Sequence, residues 1–156
     1  MITFRKLDHT TFKDVFRLLR DFDPSFEWAT LDHFVVYFFK VEGIVVEDEG
    51  RIIAAMYFDN FIPECDIVIH CVADPEYRVR WMMRGKVFNW GADFVYNTLG
   101  LGRMSGYSIE GVTNKVGHFL ETIGFKHEGT KRGAIFVHGE HRDLHLYGMT
   151  REESRW

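Results

Sequence analysis

The sequence predicts a mixed α/β or α+β fold, with a central twisted sheet of about six or seven strands flanked by about four helices. Two observations carry this prediction. Segments with the two-residue period of strands alternate with segments whose apolar residues follow the helical period. A hairpin in the middle of the chain, residues 43–47 and 51–58, excludes an all-parallel sheet.

The first elements are predicted to be a strand and two helices. Residues 2–7 alternate as in a strand, and Thr11 followed by Asp14 resembles a weakened capping box. Apolar residues at helical spacing then predict both helices: Phe12, Val15, Phe16 and Leu19, followed by Leu31, Phe34, Val35, Phe38 and Phe39. We expect the aromatic run from Phe34 to Phe39 to pack in the core; a lid or partner-binding face is the alternative.

The remaining elements follow the hairpin. We expect a strand over 64–73, ended by Pro75, and a well-buried helix over about 83–98. A strand over 101–109 precedes a short helix that Thr113 and Asn114 would cap, with Gly124 after its last turn. Two more strands complete the chain, one from residue 125 onward and one over 143–150.

Length and composition limit the possible classes of protein. The chain of 156 residues suits a single domain, 1–156, and its 15 Phe predict an aromatic core. A net charge of −4 counts against nucleic-acid binding and is compatible with a cationic acceptor. No signal region or spanning apolar stretch is visible, so we expect a cytoplasmic protein without a membrane partner. Cys65 and Cys71 would lie about 20 Å apart on a strand, too far to bridge.

A basic loop precedes the predicted helix at residue 83. Its arginines could form charge-assisted hydrogen bonds, and Gly85 would allow close backbone approach. Together with the unpaired N–H groups of a helix start, these residues could bind a pyrophosphate. A solvated basic loop is the alternative.

Several strings resemble the GNAT superfamily of N-acyltransferases. TNKVGHFLETIGFKHEG resembles its Asn-initiated helix ending in Glu-x-x-Gly-Phe, and DLHLYGMTREESRW resembles the closing strand of small bacterial and phage members. This region is also similar to ribosomal-protein N-terminal acetyltransferases. The resemblance covers residues 64–156 well and 1–60 only in element order. It implies the GNAT fold and acetyl transfer from acetyl-CoA to a primary amine by direct attack in a ternary complex.

The resemblance also implies where acetyl-CoA would bind. The pantetheine arm would lie between strands 64–73 and 101–109, pairing with backbone groups of Cys71, Val72 and Ala73. Asn114 would contact the arm, and Phe119 or Leu120 would flank its thiol end. The pyrophosphate would bind the loop that contains Arg80, Met82, Met83, Arg84, Gly85 and Lys86.

The sequence departs from the GNAT pattern at four positions. Met82 stands where Gln or Arg is expected, and Val87 replaces a small residue. Leu120 occupies the position of the helix Tyr that protonates the leaving thiolate in many members. Ile109 occupies the position of a Glu base, with Glu110 beside it.

His70 and Glu110 are the catalytic candidates. An imidazole has a pKa suited to a general base, but His70 could also be a packed strand residue. Glu110 could be a base or a solvated carboxylate at a strand end. His118 could act near the thiol or be an exposed helix residue. A backbone N–H near Val72 could stabilise the oxyanion.

Two functions follow as alternatives. The first is an N-acetyltransferase; the second is a catalytically inactive GNAT-fold protein with a binding or virion and host-interaction role, as in phage relatives. The GNAT resemblance also allows a homodimer through the C-terminal strands. His127, His138, His141 and His145 do not have the spacing of a zinc site, so we expect no metal.

Overall fold

The predicted alternation of strands and helices is present in the computed structural model, which describes residues 1–27, 29–77 and 85–156. The strands are β1 (Ile2–Lys6), β2 (Glu42–Asp48), β3 (Arg51–Ile62), β4 (Asp66–Ala73), β5 (Arg103–Ile109), β6 (Lys126–Val137) and β7 (Glu140–Thr150). The helices are α1 (Phe12–Phe22), α2 (Leu31–Phe38), α3 (Lys86–Ala92) and α4 (Asn114–Thr122). A 3-10 turn follows α1 (Pro24–Phe26), and α3 continues as a π-helical segment (Asp93–Thr98).

The strands form a seven-stranded sheet in the order β1-β2-β3-β4-β5-β7-β6. The pairs β1–β2, β2–β3, β5–β7 and β7–β6 are antiparallel, whereas β4 and β5 pair parallel at Val68 and Ser105. The predicted mixed sheet with flanking helices is therefore confirmed.

The chain divides into two compact units. Met1–Asp59 and Ile69–Phe88 form the first unit, and Asn60–Val68 with Asn89–Trp156 form the second. The chain passes from one unit to the other after Asp59, after Val68 and after Phe88. This division does not test the single domain expected from the chain length, which stays a prediction.

An aromatic core holds the first unit together. Phe34 and Phe38 of α2 are each 1% exposed, and their rings stack with centroids 3.9 Å apart. They pack in a cluster with residues of α1, β2, β3 and β4: Phe12, Val15, Leu18, Leu19, Val45, Ile52, Ala55, Tyr57 and Val72. Burial of each Val, Leu, Ile or Phe side chain in this cluster contributes about 1.5–3 kcal/mol. The predicted Phe-rich core is confirmed. Phe34 and Phe38 of α2 pack in it as expected, whereas Leu31 and Phe39 are 39% and 70% exposed, so core packing was wrong for these two residues.

The second unit is built on the β6–β7 hairpin. β7 pairs with β5 along Arg103–Ile109, and the phenolic O–H of Tyr96 donates to the carbonyl of Met149 at 2.9 Å. The indole N–H of Trp156 donates to the Ile123 carbonyl at 2.8 Å, which ties the chain's last residue to the end of α4. None of the helices among the described residues has the length and apolar composition needed to cross a bilayer.

Some local predictions were wrong. Thr11 precedes α1, but its hydroxyl bonds the backbone of Asp8 and does not cap the helix. Thr113 precedes α4, but its hydroxyl accepts from Ile109 N. Both hydroxyls stabilise the preceding turn, where a closer backbone group is available. β7 begins at Glu140, three residues earlier than predicted, because Glu140 pairs with Val137 across the hairpin.

Candidate active site

His70 of β4 is held by a carboxylate in the first unit. Its Nε2 lies 2.9 Å from Oδ1 of Asp59, at 25% side-chain exposure for His70 and 14% for Asp59. The Tyr57 ring lies parallel to the imidazole, with centroids 4.9 Å apart and planes 10° apart. His70 is therefore packed and also oriented by a specific polar partner.

Asp59 bonds through both of its oxygens. Oδ1 meets His70, and Oδ2 accepts the hydroxyl of Tyr37 from α2. Burial by itself raises the pKa of Asp59, but the hydrogen bonds from His70 and Tyr37 and the charge of His70 outweigh it, so the pKa lies below its ordinary value. Asp59 is therefore ionised at neutral pH and only accepts, which assigns the bridging proton to His70 Nε2.

Tyr57 completes this group, which we call the Asp59 cluster: Tyr37, Tyr57, Asp59 and His70. Tyr57 is 1% exposed, and its hydroxyl has no hydrogen-bond partner among the described residues. Burial, followed by the nearby Tyr37 and Asp23, raises the pKa of Tyr57 well above its ordinary value. Tyr57 therefore contributes a neutral ring under the imidazole.

The residues after His70 are largely buried. Val72 and Ala73 are 4% and 3% exposed. Burial raises the pKa of the Cys71 thiol to about 12, which leaves little thiolate at neutral pH. This protonation disfavours Cys71 as a nucleophile; Cys71 is partly buried, Cys65 is exposed, and both are free thiols.

The predicted phosphate loop is described only at its end. Arg80, Met82, Met83 and Arg84 lie outside the described residues. Gly85 has a φ of +70°, a conformation that favours glycine, and the exposed Lys86 begins α3. Gly85 and Lys86 belong to the first unit, as do His70 and residues 71–73.

The remaining candidates lie in the second unit. The side chain of Glu110 follows β5, is 59% exposed, and lies 4.0 Å from His145 Nε2. Asn114 is exposed, and its Oδ1 accepts from Gly111 N at 2.9 Å. Phe119 is partly buried on α4. The exposure of Glu110 favours a solvated carboxylate at a strand end over a role as general base.

A pocket of about 350 Å³ lies in the same unit. Its lining residues are Ser108, Asn114, His118, Glu121, His127, His145 and Tyr147. Gly117 forms part of the nearby helix surface, where a Cβ would lie 2.8 Å from Ser108 Oγ. Among the described residues, no group of three or more His, Cys, Asp or Glu is placed to hold a metal ion.

Comparison with known proteins identifies the fold of the chain. No model of a known family matches the chain, and no curated protein matches its sequence. A chimera of spermidine N-acetyltransferase from Vibrio cholerae and hSSAT superposes with a TM-score of 0.79 at 18% identity, covering 97% of this chain and 96% of its own. The Vibrio cholerae spermidine N-acetyltransferase in complex with CoA and spermine gives 0.78 at 17% identity, with coverages of 97% and 96%. The chain has the GNAT fold.

This GNAT likeness reaches beyond the strings that predicted it. A candidate phosphinothricin N-acetyltransferase also superposes with a TM-score of 0.76 at 19% identity, covering 96% of this chain and 98% of its own. At these identities the comparison establishes the fold. It includes residues 1–60, where the sequence resembled GNAT proteins only in element order.

Two departures from the GNAT pattern are visible in the structure. Leu120, at the position of the helix Tyr, is 6% exposed, and Ile109, at the position of the strand Glu, is 5% exposed. Both are packing residues. The titratable groups of the Asp59 cluster lie elsewhere, on β3, β4 and α2.

Sequence reasoning found His70 but missed Tyr37, Tyr57 and Asp59. Asp59 follows an apolar run that we ended at residue 58, whereas β3 continues to Ile62. Extending the strand would have placed Tyr57 and Asp59 on one face by simple alternation. Tyr37 carried no comparable signal, because its contact with Asp59 depends on how α2 packs.

Proposed function

We propose that this protein is an N-acetyltransferase that transfers the acetyl group of acetyl-CoA to a primary amine by direct attack in a ternary complex. The likeness of fold to N-acetyltransferases over 96–97% of the chain carries the proposal. The whole chain, 1–156, would act as one acyltransferase domain.

His70 is the general base of this proposal, and its contact with Asp59 supports the assignment. With the ring proton on Nε2, the lone pair lies on Nδ1. The cationic amine first loses one proton to solvent; its neutral nitrogen then attacks the thioester carbonyl carbon, the C–N bond forms, and a second amine proton passes to Nδ1. The C–S bond then breaks, and CoA leaves as the thiolate, which is protonated from solvent. General base catalysis of this kind contributes about 10²–10⁴-fold.

Acetyl-CoA would be bound by the residues that the sequence predicted. Backbone groups at Cys71, Val72 and Ala73 would pair with the pantetheine amides, like an added strand. The loop from Arg80 to Lys86 would bind the pyrophosphate; the positive φ of Gly85 leaves backbone accessible there. Asn114 and Phe119 would contact the arm from α4.

The acceptor is proposed to be a primary amine that carries positive charge before reaction. The net charge of −4 supports attraction of a cation. Spermidine, spermine and phosphinothricin, named with the structural relatives, are the first acceptors to test. A protein N-terminus and a lysine side chain complete the set.

Two measurements test the proposal. Acetyl-CoA at about 100 times its dissociation constant should add about 2.7 kcal/mol to the unfolding free energy, and Arg84→Glu should abolish that gain. The acetylated amine should be detected by mass spectrometry. A thiol reagent that measures released CoA would also react with the exposed Cys65. His70→Gln should keep the stabilisation and lose about 10²-fold in rate. The proposal would be overturned if acetyl-CoA did not stabilise the protein and no amine gave an acetylated product.

A second candidate function is binding without turnover. The buried apolar Leu120 and Ile109, where many GNAT proteins carry reactive side chains, favour it. It predicts stabilisation by acetyl-CoA and no acetylated product from any amine. Product formation that depends on His70 would exclude it.

A further inference from the structure

We propose that Asp59, oriented by Tyr37, is a positioning residue that fixes the tautomer and ring orientation of the general base His70. This inference rests on the proposed function and deepens it. It assigns roles to Tyr37 and Asp59, two residues that the sequence reasoning did not find. Asp59 acts through His70 and does not itself contact the reacting atoms.

Among the described residues, two contacts restrict the imidazole directly, and a third fixes its partner Asp59. Asp59 Oδ1 holds Nε2 at 2.9 Å, and the parallel Tyr57 ring, with planes 10° apart, restricts rotation out of that plane. Asp59 cannot turn independently, because its second oxygen accepts from Tyr37. The three anchors come from β3 and α2, so the position of His70 is set by elements outside its own strand.

The chemistry of Asp59 decides which nitrogen is the base. An ionised carboxylate is only an acceptor, so Nε2 must donate and Nδ1 must carry the lone pair. When Nδ1 gains the amine proton, the resulting imidazolium keeps a charge-assisted hydrogen bond to Asp59. Replacement by Asn removes this requirement, because an amide can donate to Nε2 and place the ring proton on Nδ1, where it blocks the base.

The other groups around His70 are compatible with this role. Tyr57 and Tyr37 present neutral phenols, and the neighbouring Cys71 is a protonated thiol. Asp23 lies close enough to act on Tyr57. Among the described residues, Asp59 is therefore the carboxylate that bonds His70 directly.

A merely structural role for Asp59 is the competing explanation, since the same bonds tie α2 to β3. A matched control separates the two. Asp66 is also a partly buried strand carboxylate, at 20% exposure, and accepts from Ser105 Oγ at 2.6 Å in the other unit. Asp66→Asn should cost stability without changing the imidazole or the rate of transfer.

The experiment combines steady-state kinetics with ¹⁵N spectra of labelled imidazoles. The His70 signals are those missing from His70→Gln. We expect Nε2–H in the wild type, at least partial transfer of the proton to Nδ1 in Asp59→Asn, and a fall in kcat of about 10²-fold. Tyr37→Phe should lower kcat by about 10-fold and keep the tautomer. KM for the amine should change little in either variant.

Each outcome decides the inference. An Asp59→Asn variant that is folded, keeps the Nε2–H tautomer and matches Asp66→Asn in kcat overturns it while leaving the proposed function intact. If Asp59→Asn does not fold, the Tyr37→Phe kcat decides, and an unchanged value overturns the inference. Absence of turnover in the wild type overturns the proposed function, and the inference with it.

Discussion

Removing the hydroxyl of Tyr57 should stabilise the protein. The side chain is 1% exposed, and its hydroxyl is buried without a hydrogen-bond partner among the described residues. A buried polar group left unpaired costs about 1–3 kcal/mol relative to water. Phe keeps the ring contacts with His70 and Phe38, whose centroids lie 4.9 Å away. We therefore expect Tyr57→Phe to raise the unfolding free energy by about 1 kcal/mol or more.

Tyr96 provides the matched control. It is 4% exposed, and its hydroxyl donates to Met149 O at 2.9 Å. Tyr96→Phe loses this bond and leaves a buried carbonyl, so it should lower the unfolding free energy by about 0.5–1.5 kcal/mol. The same chemical change should thus have opposite signs at the two positions.

Urea unfolding at neutral pH measures both variants, with thermal unfolding as a second readout. For a chain of this size, 1 kcal/mol corresponds to about 2–4 °C in Tm. A Tyr57→Phe variant that is less stable than wild type by about 1 kcal/mol would refute the reasoning, because it would show that the hydroxyl is paired in the folded protein.

Three further predictions concern the same two units. Hydrogen bonds in the folded protein lower the pKa of Asp59 below 3.8, so the stability it provides is present above that pH and is lost as the pH falls below it. Urea titrations should therefore show wild type and Asp59→Asn converging below about pH 4, and a constant gap would contradict this. Cys65 should react quickly with a thiol reagent at pH 8, whereas Cys71 should react only after unfolding, because burial raises the Cys71 pKa to about 12. Two rapidly reacting thiols in the native protein would contradict this prediction. Gly117→Ala should lower the unfolding free energy by about 1–3 kcal/mol, because its Cβ would overlap the Tyr147 hydroxyl, and Tyr147→Phe should recover part of the loss.

The order of elements could be predicted from the sequence because it depends on local periodicity. The second helix was expected from apolar spacing that begins at Leu31, and α2 spans Leu31–Phe38. Gly124 was expected after the last turn of α4, and it has a φ of +110° there. The start of β7 was wrong because a partner strand decides it, at Glu140, and the predicted cap was wrong because the Thr11 hydroxyl bonds the preceding turn.

The candidate site divides in the same way. By itself, the sequence determined the strand and helix order, the aromatic core and His70 as a residue worth testing, because residue type and spacing carry that information. Only the tertiary structure decided that His70 is oriented by a carboxylate. Asp59 lies 11 residues before His70, and Tyr37 lies 22 residues before Asp59. Their contacts require β3 beside β4 and α2 packed on the sheet, and no local pattern encodes which side chains meet when distant elements pack.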